Sequence, residues 1–318
     1  MTDRGRASHD GGGPEAVAVN LGLDDETAHH VAELLARCRF PPSGTAVVCA
    51  VSGGADSLCL LALAVAAGLE ATAVHVDHGL REGSAAEADV VAEAAARFGA
   101  AFRAERVEVV DGGDLEQRAR RARRRVLGPD ALTGHTADDQ AETLLINLLR
   151  GAGPTGLAAM APGGTHPILS LRRSETVELC RRLGLRPVAD PSNDDPRFVR
   201  NRVRHEVLPL LADVAGRDPV PLLTRTADHA RELAGVVEAL ADGLDPTDTR
   251  ALAAAPLPLS AAALRRWLRD GDGHPPSSAE LDRVMAVVRH EATACELTGG
   301  RRVSRSGGRL RLESGFEG

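Results

Sequence analysis

The chain has 318 residues, which is enough for two domains of ordinary size. It is 43% hydrophobic and 26% charged, as globular proteins are, and its net charge of −7 gives no sign of a nucleic-acid binder, although local clusters can still form a basic face. None of the 38 basic residues is lysine, so the chain has no lysine to act as a Schiff base, covalent adenylate acceptor or phosphate clamp. The five cysteines contain no C-x-x-C pair, which argues against a disulfide framework and a thiolate metal site.

No hydrophobic stretch near the start has the pattern of a signal peptide. The longest apolar run, Leu58 to Leu69, is too short to span a bilayer. We therefore expect a cytoplasmic protein. The oligomeric state stays open, with a homodimer as one expectation.

Residues 1–22 are polar and rich in glycine, which predicts a flexible tail. After a predicted helix from Asp24 to about Cys38, short apolar runs alternate with longer helical patterns. The predicted strands are 45–51, 71–76, 102–110 and 131–135, and the predicted helices between and after them are 57–67, 84–98, 115–126 and 138–149. Because these strands are continuously apolar, they predict an α/β fold whose parallel sheet is covered on both faces.

The pattern changes after Gly151. Turns rich in glycine and proline lead to predicted helices at 174–183 and 198–211, and residues 217–290 have a purely helical pattern. The last residues predict short strands joined by glycine turns. We expect one domain over 23–213, followed by a smaller, mainly helical C-terminal domain over 214–318.

The segment Ser52-Gly53-Gly54-Ala55-Asp56-Ser57 joins the first predicted strand to the first helix of the sheet domain. Glycines let a ligand approach the backbone, and a helix N-terminus offers N–H groups to an anion. Two hydroxyls on such a turn suit a pyrophosphate, and Asp56 suits a Mg²⁺ ion that bridges phosphates. A simple helix-capping turn is the alternative interpretation.

Polar side chains follow the other strands at the same edge of the sheet, where ligands of open α/β sheets bind. His75, Asp77 and His78 end the second strand. Asp139 and Glu142 are three residues apart on one helix, so their carboxylates can converge on a cation such as an ammonium group. A solvated acidic first turn is the alternative for this pair.

Arginines gather in two further segments. Six of the eight residues from Arg118 to Arg125 are arginine, and Arg200, Arg202 and Arg204 alternate along the next cluster. Such density favours contact with phosphates or a carboxylate, although a solvated or salt-bridged helix face explains any single arginine.

The Ser52–Ser57 loop resembles the PP-loop of the ATP-pyrophosphatases. Together with His75–Arg81, Gly134–Thr143 and the segments 190–193 and 198–205, it makes residues 45–211 similar to the tRNA(Ile)-lysidine synthase family in its short form. The resemblance implies a Rossmann-like PP-loop domain. It also implies a reaction in which ATP adenylates carbon 2 of a wobble cytidine in a CAU anticodon of tRNA(Ile), after which free lysine displaces AMP.

The resemblance assigns roles to individual residues. Those implied to bind ATP are Ser52, Gly53, Gly54, Ala55, Asp56, Ser57, His78, Arg120 and His135. Those implied to bind lysine are Asp139, Glu142 and Arg202, which together with Asp56 are the implied catalytic residues. Those implied or expected to contact tRNA are Arg123, Arg200, Arg204, Arg301 and Arg302. Members of the family usually have an aromatic residue after the position of Arg123, whereas this chain has Arg124, which puts a stacking role there in doubt.

Two other functions are compatible with this fold. One is a tRNA cytidine thiolase, which needs cysteines for sulfur or an iron–sulfur cluster, and the widely spaced cysteines argue against it. The other is a non-catalytic module that binds a nucleotide or RNA. The Asp139 and Glu142 pair argues against this module, because binding a nucleotide requires no site for an ammonium group.

Overall fold

The computed structural model describes residues 21–77, 84–107, 125–188, 195–269 and 275–313. The chain divides into two compact units, Met1–Ala227 and Asp228–Gly318. The predicted tail and most of the predicted helix 115–126 lie outside the described residues, and the predicted domain boundary near residue 214 stays a prediction. No helix in the described ranges is both long and apolar enough to cross a membrane.

The first unit contains a parallel sheet, as predicted. Its strands are β1 (Ala46–Ala50), β2 (Glu70–Asp77) and β3 (Ala101–Arg106), and they lie side by side in that order. Val51 continues the β1 ladder by donating its backbone N–H to the Val74 carbonyl oxygen at 2.9 Å. The parallel register brings the carboxyl ends of the strands to one edge, so the residues that follow them are neighbours.

The predicted fourth strand, 131–135, is reduced to one bridge. Leu132 pairs in parallel with Cys49, with its N–H donated to the Val48 carbonyl oxygen at 2.8 Å. The next residue, Thr133, donates its N–H to the Thr165 carbonyl oxygen at 2.8 Å and so leaves the ladder. The prediction of a short strand over 131–135 was wrong beyond this bridge, because Thr133 pairs with Thr165 and not with β1.

The helices of this region are α1 (Asp25–Leu35), α2 (Ala55–Ala66), α3 (Ser84–Phe98), α4 (Ala137–Leu149), α5 (Pro154–Leu157) and α6 (Arg173–Arg182). Of these, α2 and α3 pack against the sheet, but β3 is exposed at five of its six residues, so the predicted cover on both faces does not extend to β3. The side chains of Leu58, Leu60, Leu61 and Leu63 in α2 are all fully buried. A helix that is apolar on every side must lie inside a protein, so α2 forms the centre of the core and its N-terminus is fixed in position.

The predicted helix 198–211 consists of three parts: α7 (Val199–Arg202), a wider π-helical turn (Val203–Val207) and α8 (Leu208–Ala215). Pro209 has no N–H to donate to the carbonyl of His205, and its ring would clash there in a regular α-helix. The π turn accommodates this residue. Such turns are frequent at functional sites.

The remaining helices are α9 (Val220–Ala241), α10 (Thr249–Ala254), α11 (Leu257–Trp267) and α12 (Ser278–Val288). In the second unit they are followed by an antiparallel sheet of β4 (Ala294–Glu296), β5 (Arg302–Ser306) and β6 (Arg309–Glu313). A separate core joins these elements, with Leu252, Leu264, Val284, Val303 and Leu310 buried in it. The predicted α/β class, followed by a smaller helical part with short terminal strands, is confirmed.

Candidate active site

The loop after β1 turns sharply into α2 and contains Ser52–Ser57. Gly53 has a backbone φ of 89°, in the left-handed region that favours glycine. The Ser57 hydroxyl donates to the Gly54 carbonyl oxygen at 2.9 Å and accepts from the Ser52 backbone N–H at 3.2 Å. The loop is therefore held by its own polar groups. The first N–H groups of α2, which have no partner within the helix, lie at the carboxyl end of β1 and suit an anion.

The segment after Leu132 passes directly against this loop at Gly134. A Cβ atom on Gly134 would lie 2.7 Å from the Asp56 carbonyl oxygen and 2.9 Å from the Ser57 backbone nitrogen. Only glycine allows so close an approach between two backbones. Gly134 thereby brings His135 and the start of α4 to the loop.

Asp56 lies in the first turn of α2, and the start of α6 holds its carboxylate. The Thr176 hydroxyl donates to one carboxylate oxygen, and Arg173 Nε lies 3.5 Å from the other. Burial raises the pKa of Asp56 above its usual value, although Thr176 and Arg173 act in the opposite direction. The loop thus offers one partly buried carboxylate beside its hydroxyls.

One such carboxylate is compatible with Mg²⁺, which proteins usually hold with one or two carboxylates, substrate phosphates and water. Within the ranges that the structure describes, no group of three or more His, Cys, Asp or Glu side chains could hold a metal ion. A Mg²⁺ ion at Asp56 would therefore depend on the phosphates of ATP for the rest of its ligands.

Two carboxylates converge at the start of α4, as their spacing predicts. Asp139 Oδ2 accepts from both the backbone N–H and the hydroxyl of Thr136 at 2.9 Å, which caps the helix. Asp139 is 8% exposed and Glu142 is fully buried. Burying two carboxylates together is costly unless cations accompany them.

Two arginines supply these cations. Arg173 lies 3.0 Å from Asp139 Oδ1 through Nη2 and 3.2 Å from Glu142 Oε1 through Nη1. Arg204 binds both oxygens of Glu142, at 2.7 Å through Nε and 3.2 Å through Nη2. Burial acts to raise the pKa of Asp139, but Arg173 and the Thr136 N–H outweigh it and hold the pKa below its usual value. We name the following residues the central ion cluster: Asp56, Asp139, Glu142, Arg173 and Arg204.

Arg200 lies at the margin of this cluster. Its Nη2 donates to the Thr143 hydroxyl at 2.9 Å, and its Nε lies 3.6 Å from Glu142 Oε2. Arg200 and Arg204 are four residues apart, and residues at this spacing share a helix face. The face they share is the one directed at α4.

Arg202 is not brought to the cluster. Its guanidinium lies 2.9 Å from Glu206 Oε2, in an exposed pair one helical turn apart. Each helical residue is rotated by about 100° from the last, so a residue two positions after Arg200 lies on the opposite side of the helix. The expectation that Arg202 holds lysine has no support from this geometry, and the same periodicity argument could have been made from the sequence.

Two imidazoles share the hydroxyl of Thr133. This oxygen lies 2.7 Å from His135 Nδ1, 2.8 Å from His166 Nδ1 and 2.9 Å from the Thr165 carbonyl oxygen. Because a carbonyl can only accept, the hydroxyl donates to Thr165 and both rings donate from Nδ1. Nε2 is then the nitrogen of neutral His135 that can accept a proton. Burial lowers the pKa of His166, so its ring is neutral near pH 7.

Sequence analysis did not identify Arg172, Arg173 or Thr176 as site residues. Arg172 forms hydrogen bonds of 3.0 Å to both carboxylate oxygens of Asp138 and a further ion pair with Asp218. The sequence did contain a sign of the two arginines, because a positive charge at the N-terminus of a helix interacts unfavourably with the helix dipole. Two successive arginines at that position indicate that carboxylates from another part of the fold bind them.

Other predicted site residues are outside the described ranges or away from the cluster. His78, Arg120, Arg123 and the segment 190–193 lie outside the described residues. In the second unit, Arg301 donates to the Leu268 carbonyl oxygen at 2.8 Å, and Arg302 Nε lies 3.6 Å from Glu296. Their predicted contact with tRNA stays a prediction.

The cysteines do not form a reactive site. Cys38, Cys49, Cys59 and Cys180 are buried, and Cys295 is partly buried. Burial raises the pKa of the thiols of Cys38, Cys49 and Cys180 to about 12, so they are protonated near neutral pH. Thiolates are the form that attacks and binds metals, so these side chains do not suit sulfur transfer.

Two family models match the chain. A PP-loop domain model matches residues 23–211, and a TilS substrate binding domain model matches residues 248–311. The tRNA(Ile)-lysidine synthase of Nocardia farcinica is 43% identical over 265 residues, which cover 78% of this chain and 83% of the relative. That of Thermobifida fusca is 38% identical over 299 residues, which cover 85% and 92%.

A solved structure of a U34-tRNA thiolase from Methanococcus maripaludis is 17% identical, with a TM-score of 0.49 over 69% of this chain and 77% of that chain. Likeness at this level says nothing about activity. The curated relatives, by contrast, match both parts of the chain at about 40% identity. The chain belongs to the tRNA(Ile)-lysidine synthase family.

Proposed function

We propose that this protein uses ATP to join free lysine to carbon 2 of the wobble cytidine in the CAU anticodon of tRNA(Ile). The products are lysidine, AMP and pyrophosphate. The observation that carries the proposal is the central ion cluster, which links the PP-loop to two buried carboxylates in a chain of this family. A non-catalytic nucleotide-binding module would not require that second group of carboxylates.

ATP binds on the Ser52–Ser57 loop, with its phosphates near the N-terminus of α2. The carbonyl oxygen at carbon 2 of cytidine attacks the α-phosphorus, and the bond to pyrophosphate breaks. Mg²⁺ held by Asp56 and the phosphates would neutralise charge on the departing pyrophosphate. Adenylation is needed because a urea-like carbonyl carbon is a poor electrophile and oxide is a poor leaving group.

Asp139 and Glu142 bind the ammonium group of lysine. The attacking nitrogen must first lose a proton, although an amine of this kind has a pKa of about 10.4 in water. Asp139 is a weak proton acceptor because its pKa is lowered by Arg173. It therefore orients the ammonium group, and the carboxylate pair passes the proton on rather than keeping it. The amine then forms its bond to carbon 2 while the bond from carbon 2 to the AMP oxygen breaks.

The second unit recognises the tRNA, in keeping with the match of residues 248–311 to a substrate binding domain. The wobble base must leave the anticodon stack to expose the edge that reacts. With five Phe, one Trp and no Tyr in the chain, arginine planes take over much of the stacking and phosphate contact. We further infer Mg²⁺ as cofactor, a cytoplasmic location and, as one arrangement, a homodimer.

The test supplies ATP, radiolabelled lysine and unmodified tRNA(Ile) with a CAU anticodon. We expect label in the tRNA that depends on ATP, and none when tRNA(Met), which has the same anticodon, replaces it. Absence of label with folded protein would overturn the proposal. Incorporation of sulfur from a labelled donor, without lysine, would instead identify the protein as a thiolase.

A further inference from the structure

One guanidinium group connects the PP-loop to the carboxylates of α4. Arg173 Nε lies 3.5 Å from Asp56, Nη2 lies 3.0 Å from Asp139, and Nη1 lies 3.2 Å from Glu142. We propose that Arg173 is a positioning residue that couples the binding of ATP to the binding of lysine. This inference rests on the proposed function and adds an order of events to it.

The backbone around Arg173 is fixed at both ends of the first turn of α6. Its N–H donates to Asp138 at 2.8 Å, and its carbonyl oxygen lies 2.8 Å from the Thr176 hydroxyl oxygen. The same hydroxyl also contacts Asp56. The side chain is 27% exposed, so the guanidinium can shift among its three partners while its backbone stays in place.

The charges of the cluster make Arg173 a shared cation. Asp56, Asp139 and Glu142 supply three negative charges, Arg173 and Arg204 supply two positive ones, and Arg200 lies 3.6 Å from Glu142 at the margin of the cluster. Arg204 binds Glu142 by a two-pronged contact, which is the strong geometry for a guanidinium and a carboxylate, and lies 3.7 Å from Asp139. Arg173 makes no two-pronged contact with a single carboxylate, because each of its nitrogens faces a different carboxylate.

A triphosphate on the loop adds negative charge on the Asp56 side of Arg173. The guanidinium is drawn towards it, and Asp139 loses its nearest cation, because Arg204 lies 3.7 Å from Asp139 and Arg200 approaches Glu142 instead. The ammonium group of lysine then takes the vacated hydrogen-bonding positions on Asp139 and Glu142. ATP therefore increases the affinity for lysine, and by linkage lysine increases the affinity for ATP by the same factor.

Arg172 offers a matched control. It precedes Arg173 at the start of the same helix and also binds carboxylates, those of Asp138 and Asp218. It has no contact with Asp56, Asp139 or Glu142 among the ion pairs of the described residues. Removing the charge of Arg172 takes one positive charge from the start of α6, as removing that of Arg173 does, but it leaves Arg173 and its three contacts in place.

The experiment titrates L-lysine into the full chain by calorimetry, with and without α,β-methylene ATP, which cannot be cleaved at the α–β bond. In the wild type we expect the analogue to lower the Kd for lysine about tenfold. In R173Q we expect the same Kd with and without the analogue, within about twofold, and close to the tighter wild-type value. R172Q should keep the wild-type coupling.

A merely structural role gives a different result. If R173Q weakens lysine binding by the same factor with and without the analogue, Arg173 only stabilises the shape of the lysine site. The inference that it couples the two ligands is then wrong. If R173Q does not fold, R173K decides, because a single ammonium cannot reach three carboxylates and the coupling must fall. Wild-type coupling in R173K would overturn the inference. Failure of wild-type protein to bind lysine under either condition would instead contradict the proposed function.

Discussion

The two units use arginine in different ways. In the first unit, Arg173 and Arg204 are enclosed with buried carboxylates and each binds more than one acidic side chain. In the second unit, arginines form single pairs at the surface, such as Arg302 with Glu296. Buried charges interact strongly and cannot be removed singly without a large cost, whereas exposed pairs are screened by water and salt.

This contrast suggests different roles for the two kinds of arginine: buried arginines in the catalytic site, and exposed arginines in contact with tRNA phosphates. A buried network holds its groups in one geometry and can act on a small substrate. Exposed arginines remain available to phosphates and contribute to affinity in a salt-dependent way. The following substitutions test the contrast, beginning with the largest expected effect.

Among these substitutions, Glu142→Gln should cause the largest loss of stability and activity. It removes a fully buried carboxylate and leaves Arg173 and Arg204 short of a counter-ion, and breaking a buried pair costs about 3–5 kcal/mol. We expect this loss in the free energy of unfolding, measured by chemical denaturation, together with loss of lysidine formation. The exposed control, Glu206→Gln, should cost about 0–1 kcal/mol. If the two substitutions lowered the free energy of unfolding by the same amount, the proposed difference between buried and exposed ion pairs would be contradicted.

Asp56→Asn should abolish lysidine formation but raise the melting temperature. Burial raises the pKa of Asp56 above its usual value of 3.8, so the unfolded chain gives up this proton at a lower pH than the folded chain. Ionisation therefore lowers stability as pH rises from 3.8 through the folded pKa, and the loss persists above it. The amide removes this cost.

Thermal unfolding at several pH values tests this point. The stability advantage of Asp56→Asn should be present at pH 7 and should narrow as pH falls towards 3.8. A lower melting temperature at pH 7 would mean that the contacts of Asp56 with Thr176 and Arg173 outweigh its burial.

Asp139→Asn should raise the KM for lysine while leaving ATP binding within about twofold of the wild-type value. A hydrogen bond to a charged group contributes about 1.5–3 kcal/mol, which predicts a rise of at least about tenfold. The amide oxygen can still accept from Thr136, so the cap of α4 is retained. Asp138→Asn, at the adjacent residue that binds Arg172, is the control and should leave the KM nearly unchanged. Loss of ATP binding in Asp139→Asn would contradict the assignment.

Arg302→Ala should have the smallest effect. If Arg302 contacts a tRNA phosphate, the substitution should weaken tRNA binding modestly and reduce the slope of log K against log salt by about one. The control is Arg181→Ala, which removes an exposed arginine paired with Glu178 in the first unit. An unchanged slope in Arg302→Ala would contradict the prediction that Arg302 contacts tRNA.

Much of the fold could be predicted from the sequence because its signals are local. The buried strands are continuous apolar runs, and Gly53 and Gly54 mark the turn into α2. The spacing of Asp139 and Glu142 was sufficient to predict that they converge, since residues three apart share a helix face. The predicted strand over 131–135 was wrong because Thr133 pairs with Thr165, 32 residues away along the chain, and such a contact is not a local property.

The sequence by itself determined most of the described helices and strands, the PP-loop and the acidic pair on α4. Only the tertiary structure decided which cations meet that pair. Arg173 lies 117 residues from Asp56 and 34 from Asp139 along the chain, so no periodicity relates them. The choice of Arg173 over Arg202 depends on which helix face is directed inward. Packing of α6 against the buried helix α2 directs Arg173 towards Asp56, whereas α7 packs against α4 with Arg200, and Arg202 lies on the opposite side. A charged group can be buried only where the fold brings it an opposite charge.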